Sequence, residues 1–514
     1  MSGGVATSKL RSLRFCLRGD ILIKEKQLTK TGGKGVAHPY LAMMGLYLGG
    51  FTGMYSETAL NIALPQLSEA FGTTAAVTQW LVVGYMLVIG IVLPFASILM
   101  KWFNARTLTV FALAAFLIGS LVSAFAPGFE VALAGRAIQG VGTGLVLPLM
   151  FAMVMEVMPP QKIGAAMGVT ALVIMFASAI GPTMAGILVG ALSWRSIFLS
   201  FAIILAVGLA LTLAFAVNPW KLTRPHIDLA SVVLSVLGFG GVVLGVGMSS
   251  LYGWASPIVA GALVVGVACI AGYSIRQLRM EVPILNLRAF QVRDFSVGAV
   301  LVMMNFGITL AAMYVLPQFY QASLGLSTAI VGLIMLPGGI VNALVSMLAG
   351  RVYDRIGARI PALAGFALSA IGSALLIMAG PNTTIPYVMT CHILLMIGVP
   401  LAMSPTQTYA LSSLPPQMNG DGSTILNAMQ QVFGAIATAV ATSLLIAGQS
   451  AYFANGGASA QDAFATGSHY GFAFALIMAV LALMLAFRVK ARKGETEQPD
   501  TAVAAGISPA HELG

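Results

Sequence analysis

Tyr55-Ser56-Glu57-Thr58-Ala59-Leu60-Asn61-Ile62-Ala63-Leu64-Pro65 closes an apolar run that reaches back to about Tyr40. Roughly 20 residues of that character cross a bilayer as a helix, and this run carries a lone carboxylate, Glu57, at membrane depth. An acid there is expensive and is by default a functional group, often a proton relay; the plainer alternative is a structural acid paired with a basic residue. The rest of the chain has to choose between them.

Counting the first, at about 40–64, the apolar runs number fourteen: the others fall at approximately 77–100, 107–127, 131–155, 165–190, 196–217, 229–249, 256–276, 296–318, 328–350, 361–380, 386–412, 423–447 and 469–488. With 58% apolar and 8% charged residues in 514, against roughly 25% charged in a soluble chain, the protein reads as an all-α integral membrane protein with fourteen transmembrane helices. A net charge of +10 would suggest nucleic acid for a soluble protein. Here the basic residues sort by side of the bilayer instead: with the N-terminus inside, every Lys and Arg falls on the inner side except Arg136, within the fourth run, and Arg195, in an outer loop. That asymmetry predicts both termini in the cytoplasm and an even number of spans.

The three cysteines, Cys16, Cys269 and Cys391, imply no disulfide framework. The first 37 residues lack the continuous apolar core of a cleavable signal peptide; they read as a basic tail that fixes topology or lies on anionic lipid. Neither zinc-ligand spacing, nor a nucleophile elbow, nor a P-loop occurs between the runs, and five histidines are scattered. The chain is therefore expected to be neither an enzyme nor an ATP-driven pump, and to need no metal or cofactor.

The two ends of the array resemble each other. Leu64-Pro65-Gln66 returns as Leu316-Pro317-Gln318 at an offset of 252, and Arg106 with Ile118-Gly119-Ser120 returns as Arg359 with Ile371-Gly372-Ser373 at 253. Pro159-Pro160 returns as Pro415-Pro416 at 256. The order and near-constant spacing predict two six-helix bundles with two helices inserted between them. The expected layout is a basic tail at 1–37, an N-terminal bundle at 38–217, the inserted pair with its linkers at 218–292, a C-terminal bundle at 293–488 and a tail at 489–514. Repeats of this kind belong to secondary transporters, whose substrate sites lie between the halves near the bilayer midplane.

Three further stretches carry signals. Gly350-Arg351-Val352-Tyr353-Asp354-Arg355-Ile356-Gly357-Ala358-Arg359 joins runs ten and eleven; its glycines allow a tight turn, and Asp354 can pair with arginines across a moving interface. Arg136-Ala137-Ile138-Gln139-Gly140-Val141-Gly142-Thr143-Gly144 lies in run four, and Gly181-Pro182-Thr183-Met184-Ala185-Gly186 in run five. Small residues in both let helix backbones approach closely, and Pro182 permits a bend.

On these residues the chain resembles the major facilitator superfamily, specifically its fourteen-helix drug:proton antiporter branch of EmrB/QacA/LmrB-like multidrug exporters, over about 40–488. The resemblance implies an inner-loop gate built on Gly350, Asp354, Arg355, Gly357 and Arg359, a proton-coupling role for Arg136, and an antiporter motif at Gly181, Pro182 and Gly186. Glu57 to Pro65 is similar to the branch's first-helix motif, with Glu where many members carry Asp. Two positions depart from the pattern. Lys101 and Asn104 replace an acid and a glycine in the first-half inner loop, and run thirteen has Asn427, Gln430 and Gln431 but no deep acid, Asp421 lying at its inner end.

Depth can be reckoned without the resemblance. Glu57 lies about 24–26 Å along its helix, and Arg136 roughly 8 Å below the outer end of its own, so the two intramembrane charges sit at similar depth. An arginine in a shared cavity favours the ionised acid while desolvation disfavours it, and alternating exposure would switch the winner. At an offset of 256 Arg136 corresponds to His392, which reads either as a further proton site or as a hydrogen-bonded packing histidine. Asn61, Gln139, Asn305, Gln318, Asn342 and Gln430 are candidates for the polar lining of a substrate cavity, and the 28 methionines suit an adaptable apolar one. The expected function is proton-coupled export of neutral or monocationic hydrophobic compounds across the cytoplasmic (inner) membrane by alternating access. The alternative is a dedicated exporter of a metabolite, peptide or siderophore. The expected partners are protons, small hydrophobic substrates and the lipid bilayer, with no nucleic acid. A periplasmic adaptor and an outer-membrane channel are further candidate partners.

Overall fold

The computed structural model describes residues 39–159, 162–219, 222, 228–280, 283, 285–415 and 418–490. The basic tail, nearly all of the 489–514 tail, Cys16, Pro160 and Pro416 lie outside the described residues. Fourteen long helices account for most of what is described. They are α1 (Pro39–Phe71), α2 (Trp80–Trp102), α3 (Ala105–Ala124), α4 (Phe129–Val157), α5 (Ile163–Ala191), α6 (Arg195–Phe215) and α7 (Leu229–Tyr252). The second set is α8 (Pro257–Arg279), α9 (Arg293–Ala322), α10 (Thr328–Ile356), α11 (Arg359–Ile377), α12 (Ile385–Ser412), α13 (Asn419–Ala454) and α14 (Ala460–Ala486).

Thirteen helical stretches among the described residues are long and apolar enough to cross a membrane. The exception is α1, which at 33 residues is long enough but carries Ser56, Glu57, Thr58, Asn61 and Gln66 within its span. Its burial compensates: Glu57 is 4% and Asn61 2% exposed, because α1 runs through the middle of the array against α4, α5 and α6. Successive spans alternate in direction, so α1 begins and α14 ends at one end of the array. That end is called the terminal side below, and the opposite one the far side.

The helices form two six-helix bundles. In the first, α1 packs on α5, α6 and α4, while α3 packs on α4 and α6; in the second, α9 packs on α14, α13 and α12, and α11 on α12 and α14. The pair α7 and α8 lies mainly against itself, with Gly241 and Gly266 in backbone contact, and α7 touches α2 and α13. At the terminal end of this pair Asp228 and Arg276 form a bidentate ion pair, at 2.6 and 2.8 Å. The guanidinium hydrogen bonds hold the Asp228 carboxyl well below the usual carboxylate range.

Two seams join the bundles, α5 along α10 and α2 along α13. The first is made of small residues: Gly339 lies against Ala179, Gly332 against Pro182 and Thr183, and Gly186 against Thr328 and Gly332. With no side chains between them the backbones come close enough for Thr183 Oγ1 to donate to the Gly332 carbonyl at 2.8 Å. Such contacts substitute for the hydrophobic drive that lipid removes.

Candidate functional site

Glu57 sits on the face of α1 that meets the second bundle, with the Gln431 side chain of α13 beside its carboxylate. Its Oε2 is buried with no hydrogen-bond partner. One residue earlier, Ser56 faces the other way and accepts a hydrogen bond from Arg136 Nη1 at 2.5 Å.

Arg136 is completely buried and is held by uncharged groups. Its Nε donates to the Leu81 carbonyl of α2 at 2.8 Å, and Nη1 also donates to Gln139 Oε1 at 2.6 Å. The guanidinium lies 3.8 Å from the ring centroid of Tyr85, whose hydroxyl reaches the Gly53 carbonyl of α1 and Thr143 Oγ1 of α4. One cation therefore pins α1, α2 and α4. The ion pairs among the described residues are Arg276–Asp228 and Lys490–Asp294, so Arg136 and Glu57 do not form one. They act on each other through the field alone. Arg136 Nη2, like Glu57 Oε2, is buried without a hydrogen-bond partner among the described residues.

The stretch 181–186 packs beside this site. Gly181 lets α5 approach α1 at Thr58, next to Glu57, while Gly186 faces α10; the same six residues thus touch both bundles. The inner-loop motif lies at the terminal side. Gly357 there has φ +76°, a left-handed conformation that suits glycine. Asp354 and Arg355 are exposed, and neither they nor Arg359 make an ion pair among the described residues. A Cβ at Gly350 would meet open space.

The far side is closed by amides. Gln66 of α1 donates from Nε2 to Gln321 Oε1 of α9 at 2.9 Å and to Thr328 Oγ1 of α10. Gln321 returns a hydrogen bond to the Ile62 carbonyl of α1 at 2.9 Å.

The six polar cavity candidates separate. Asn61 and Gln430 are buried with an unpartnered oxygen and nitrogen respectively, on the helices that flank Glu57. Gln139 is consumed within the first bundle, between Arg136 and Ser120. Asn305 donates to the Val399 carbonyl inside the second bundle, at 3.1 Å. Asn342 reaches the Met396 sulfur at 3.6 Å, and Gln318 lines a cleft at the far side. His392 is 1% exposed and packs against Gly338 of α10. Neither ring nitrogen has a hydrogen-bond partner among the described residues, so it is not the hydrogen-bonded packing histidine considered above. Its neighbour at this point is the α10 backbone at Gly338, where Arg136 in the first bundle meets the α2 carbonyl of Leu81. Sequence reasoning missed Ser56, Tyr85 and the Gln66–Gln321–Thr328 closure. It noted Gln431 without placing it at the site.

The Major Facilitator Superfamily family model matches residues 46–439. The chain belongs to the major facilitator superfamily. It is 40% identical over 455 residues to the lincomycin resistance protein LmrB of Bacillus subtilis (strain 168), which covers 87% of this chain and 95% of the relative. It is 31% identical to the multidrug resistance protein B homolog of Mycobacterium tuberculosis (strain ATCC 25618 / H37Rv), over 76% of this chain and 73% of that one. Among solved structures a D-xylose-proton symporter superposes with a TM-score of 0.64 at 18% identity, covering 90% of this chain and 100% of that one. That likeness supports the superfamily fold. The protein is thus a multi-pass membrane transporter that groups with the superfamily's drug exporters.

Proposed function

We propose that the protein exports hydrophobic neutral or monocationic compounds from the cytoplasm in exchange for external protons, with both termini cytoplasmic and the far side facing out. The observation that carries the reading is Glu57, a carboxylate buried between the bundles with one oxygen unpartnered, near a buried cation that is held by neutral groups and not ion-paired to it. Protonating such an acid removes the negative charge beside Arg136, and drug binding competes with the proton for that state. Asn61 and Gln430 line the substrate path beside it. His392, at the repeat-related position, is the candidate for a second proton. The names of the relatives attach resistance to lincomycin and to multiple drugs to those proteins, and we extend drug export to this chain.

In this reading 38–217 and 293–488 are the two moving bodies, and 218–292 the insert. The closed far side and the unpaired Gly350–Arg359 turn fit a state open to the cytoplasm. Asp354 with Arg355 would latch the terminal side in the opposite state. The test is drug uptake into everted vesicles under an imposed pH gradient. Glu57→Gln should abolish proton-driven uptake while Glu57→Asp keeps a measurable fraction; uptake by Glu57→Gln with the wild-type pH dependence would sink the assignment. The same vesicles address charge: a dication carries one extra charge outward against about 2.3 kcal/mol per 100 mV, so ethidium should be exported in preference to a dicationic dye.

A further inference from the structure

A cleft of about 360 Å³ opens at the far side between the two bundles. One wall is the last turns of α1, at Leu64, Pro65, Ser68 and Glu69; the opposite wall is Tyr314 and Gln318 of α9, with Phe464 of α14. This volume lies within the range of small-molecule sites, roughly 300–1,000 Å³. The lining is mostly apolar and aromatic, interrupted by Gln318, Glu69 and the hydroxyl residues Ser68, Thr73 and Thr78.

The remaining wall is a braced turn. Gly72 adopts φ +62°, which suits glycine alone at low strain. Ser68 Oγ donates to the Thr73 carbonyl at 2.5 Å, Thr73 and Thr78 share a hydroxyl hydrogen bond at 2.9 Å, and Thr78 Oγ1 also donates to the Thr74 carbonyl at 3.0 Å. Gln318 is fixed by a bond to the Tyr314 carbonyl at 2.8 Å. The cleft is therefore preformed. Glu69 stands exposed at its rim and makes no ion pair among the described residues.

We infer that this cleft binds compact lipophilic monocations from the far side, with the cation beside Glu69 and the hydrophobic body against Leu64, Tyr314 and Phe464. The ligand touches α1 of one bundle and α9 and α14 of the other. It therefore favours the conformation in which these helices stand as described and must leave, or be redistributed, when the bundles part. This site is separate from the Glu57 junction and does not rest on proton coupling.

The test uses the full chain in lipid nanodiscs, with no gradient, so that it reads independently of transport. Cys16, Cys269 and Cys391 are replaced by Ser, and Ala75→Cys places a thiol in the cleft wall. The rate at which an impermeant maleimide reacts with it is measured against rising tetraphenylphosphonium. The cation should protect the thiol, and Glu69→Gln should raise the half-protecting concentration about fivefold, the scale of one partly exposed charge pair, with Glu69→Asp intermediate. Neutral triphenylphosphine oxide should protect poorly. Absence of protection, equal protection with Glu69→Gln, or equal protection by the neutral probe would each overturn the assignment.

Discussion

Gln321→Ala tests whether neutral amides hold the far side shut. The wild-type side chain makes two hydrogen bonds between the bundles, accepting from Gln66 at 2.9 Å and donating to the Ile62 carbonyl at 2.9 Å. Truncation removes both, while Gln66 keeps its bond to Thr328. At a net worth of about 1 kcal/mol each, the closed arrangement loses about 2 kcal/mol, or about 30-fold in the equilibrium. An open fraction of about 1% would rise to roughly a quarter. Spin labels on Ala70 and Ser327, both exposed at the far side, report the separation of α1 from α10 by pulsed dipolar spectroscopy. The variant should show a second, longer distance in proportion to that shift, with an unchanged elution profile as the check on folding. A folded variant with the wild-type distance distribution would refute the view that these amides form the closure.

Arg136→Lys should lower thermal stability and restore only part of the transport lost in Arg136→Ala, because one ammonium cannot reach Leu81, Ser56 and Gln139 together; full transport with an unchanged melting temperature would count against the three-helix role. Gly186→Val drives a Cβ to 2.7 Å from the Thr328 carbonyl oxygen, an overpacking worth about 1–3 kcal/mol. Vesicle uptake should fall sharply, and normal uptake would show that the seam tolerates side chains. Asp228→Asn should cost under about 1 kcal/mol, since its partner Arg276 is partly exposed. The depressed carboxyl makes this contribution present at neutral pH and lost as pH falls through the low folded value, so the melting-temperature gap between wild type and variant should close only in strong acid. A gap that closes near pH 6 would contradict it.

The fourteen spans were legible because apolar runs of membrane length leave few alternatives. Their ends were not. The run at 40–64 became a helix to Phe71, and that at 423–447 became Asn419–Ala454, because a helix continues past the hydrocarbon wherever its polar residues find partners. Glu57 and Arg136 stood out as isolated charges, yet their relation depends on which helix faces each carries. Sequence offers the face but not the neighbour. Gln139 was misjudged on information already present: three residues after Arg136 on one helix, it shares that face, and the guanidinium takes its oxygen. The amide closure escaped because Gln66, Gln321 and Thr328 are ordinary residues at helix ends, brought together only by the crossing of α1, α9 and α10.

The polarity of α1 bears on how the protein is made. It is the first of the fourteen described helices to be synthesised and the least able to enter lipid by itself, since a charge near a helix centre opposes insertion by about 2.5–3.5 kcal/mol. Gln431, whose side chain lies beside Glu57, is synthesised about 20–75 s later at ordinary elongation rates. Until α4 and α5 arrive to cover it, α1 must wait beside the translocon or be shielded by another membrane protein. Chains halted after α3 should accordingly leave their first span more accessible to water than full-length chains do, and the longest delay in biogenesis should fall at the helix on which transport is centred.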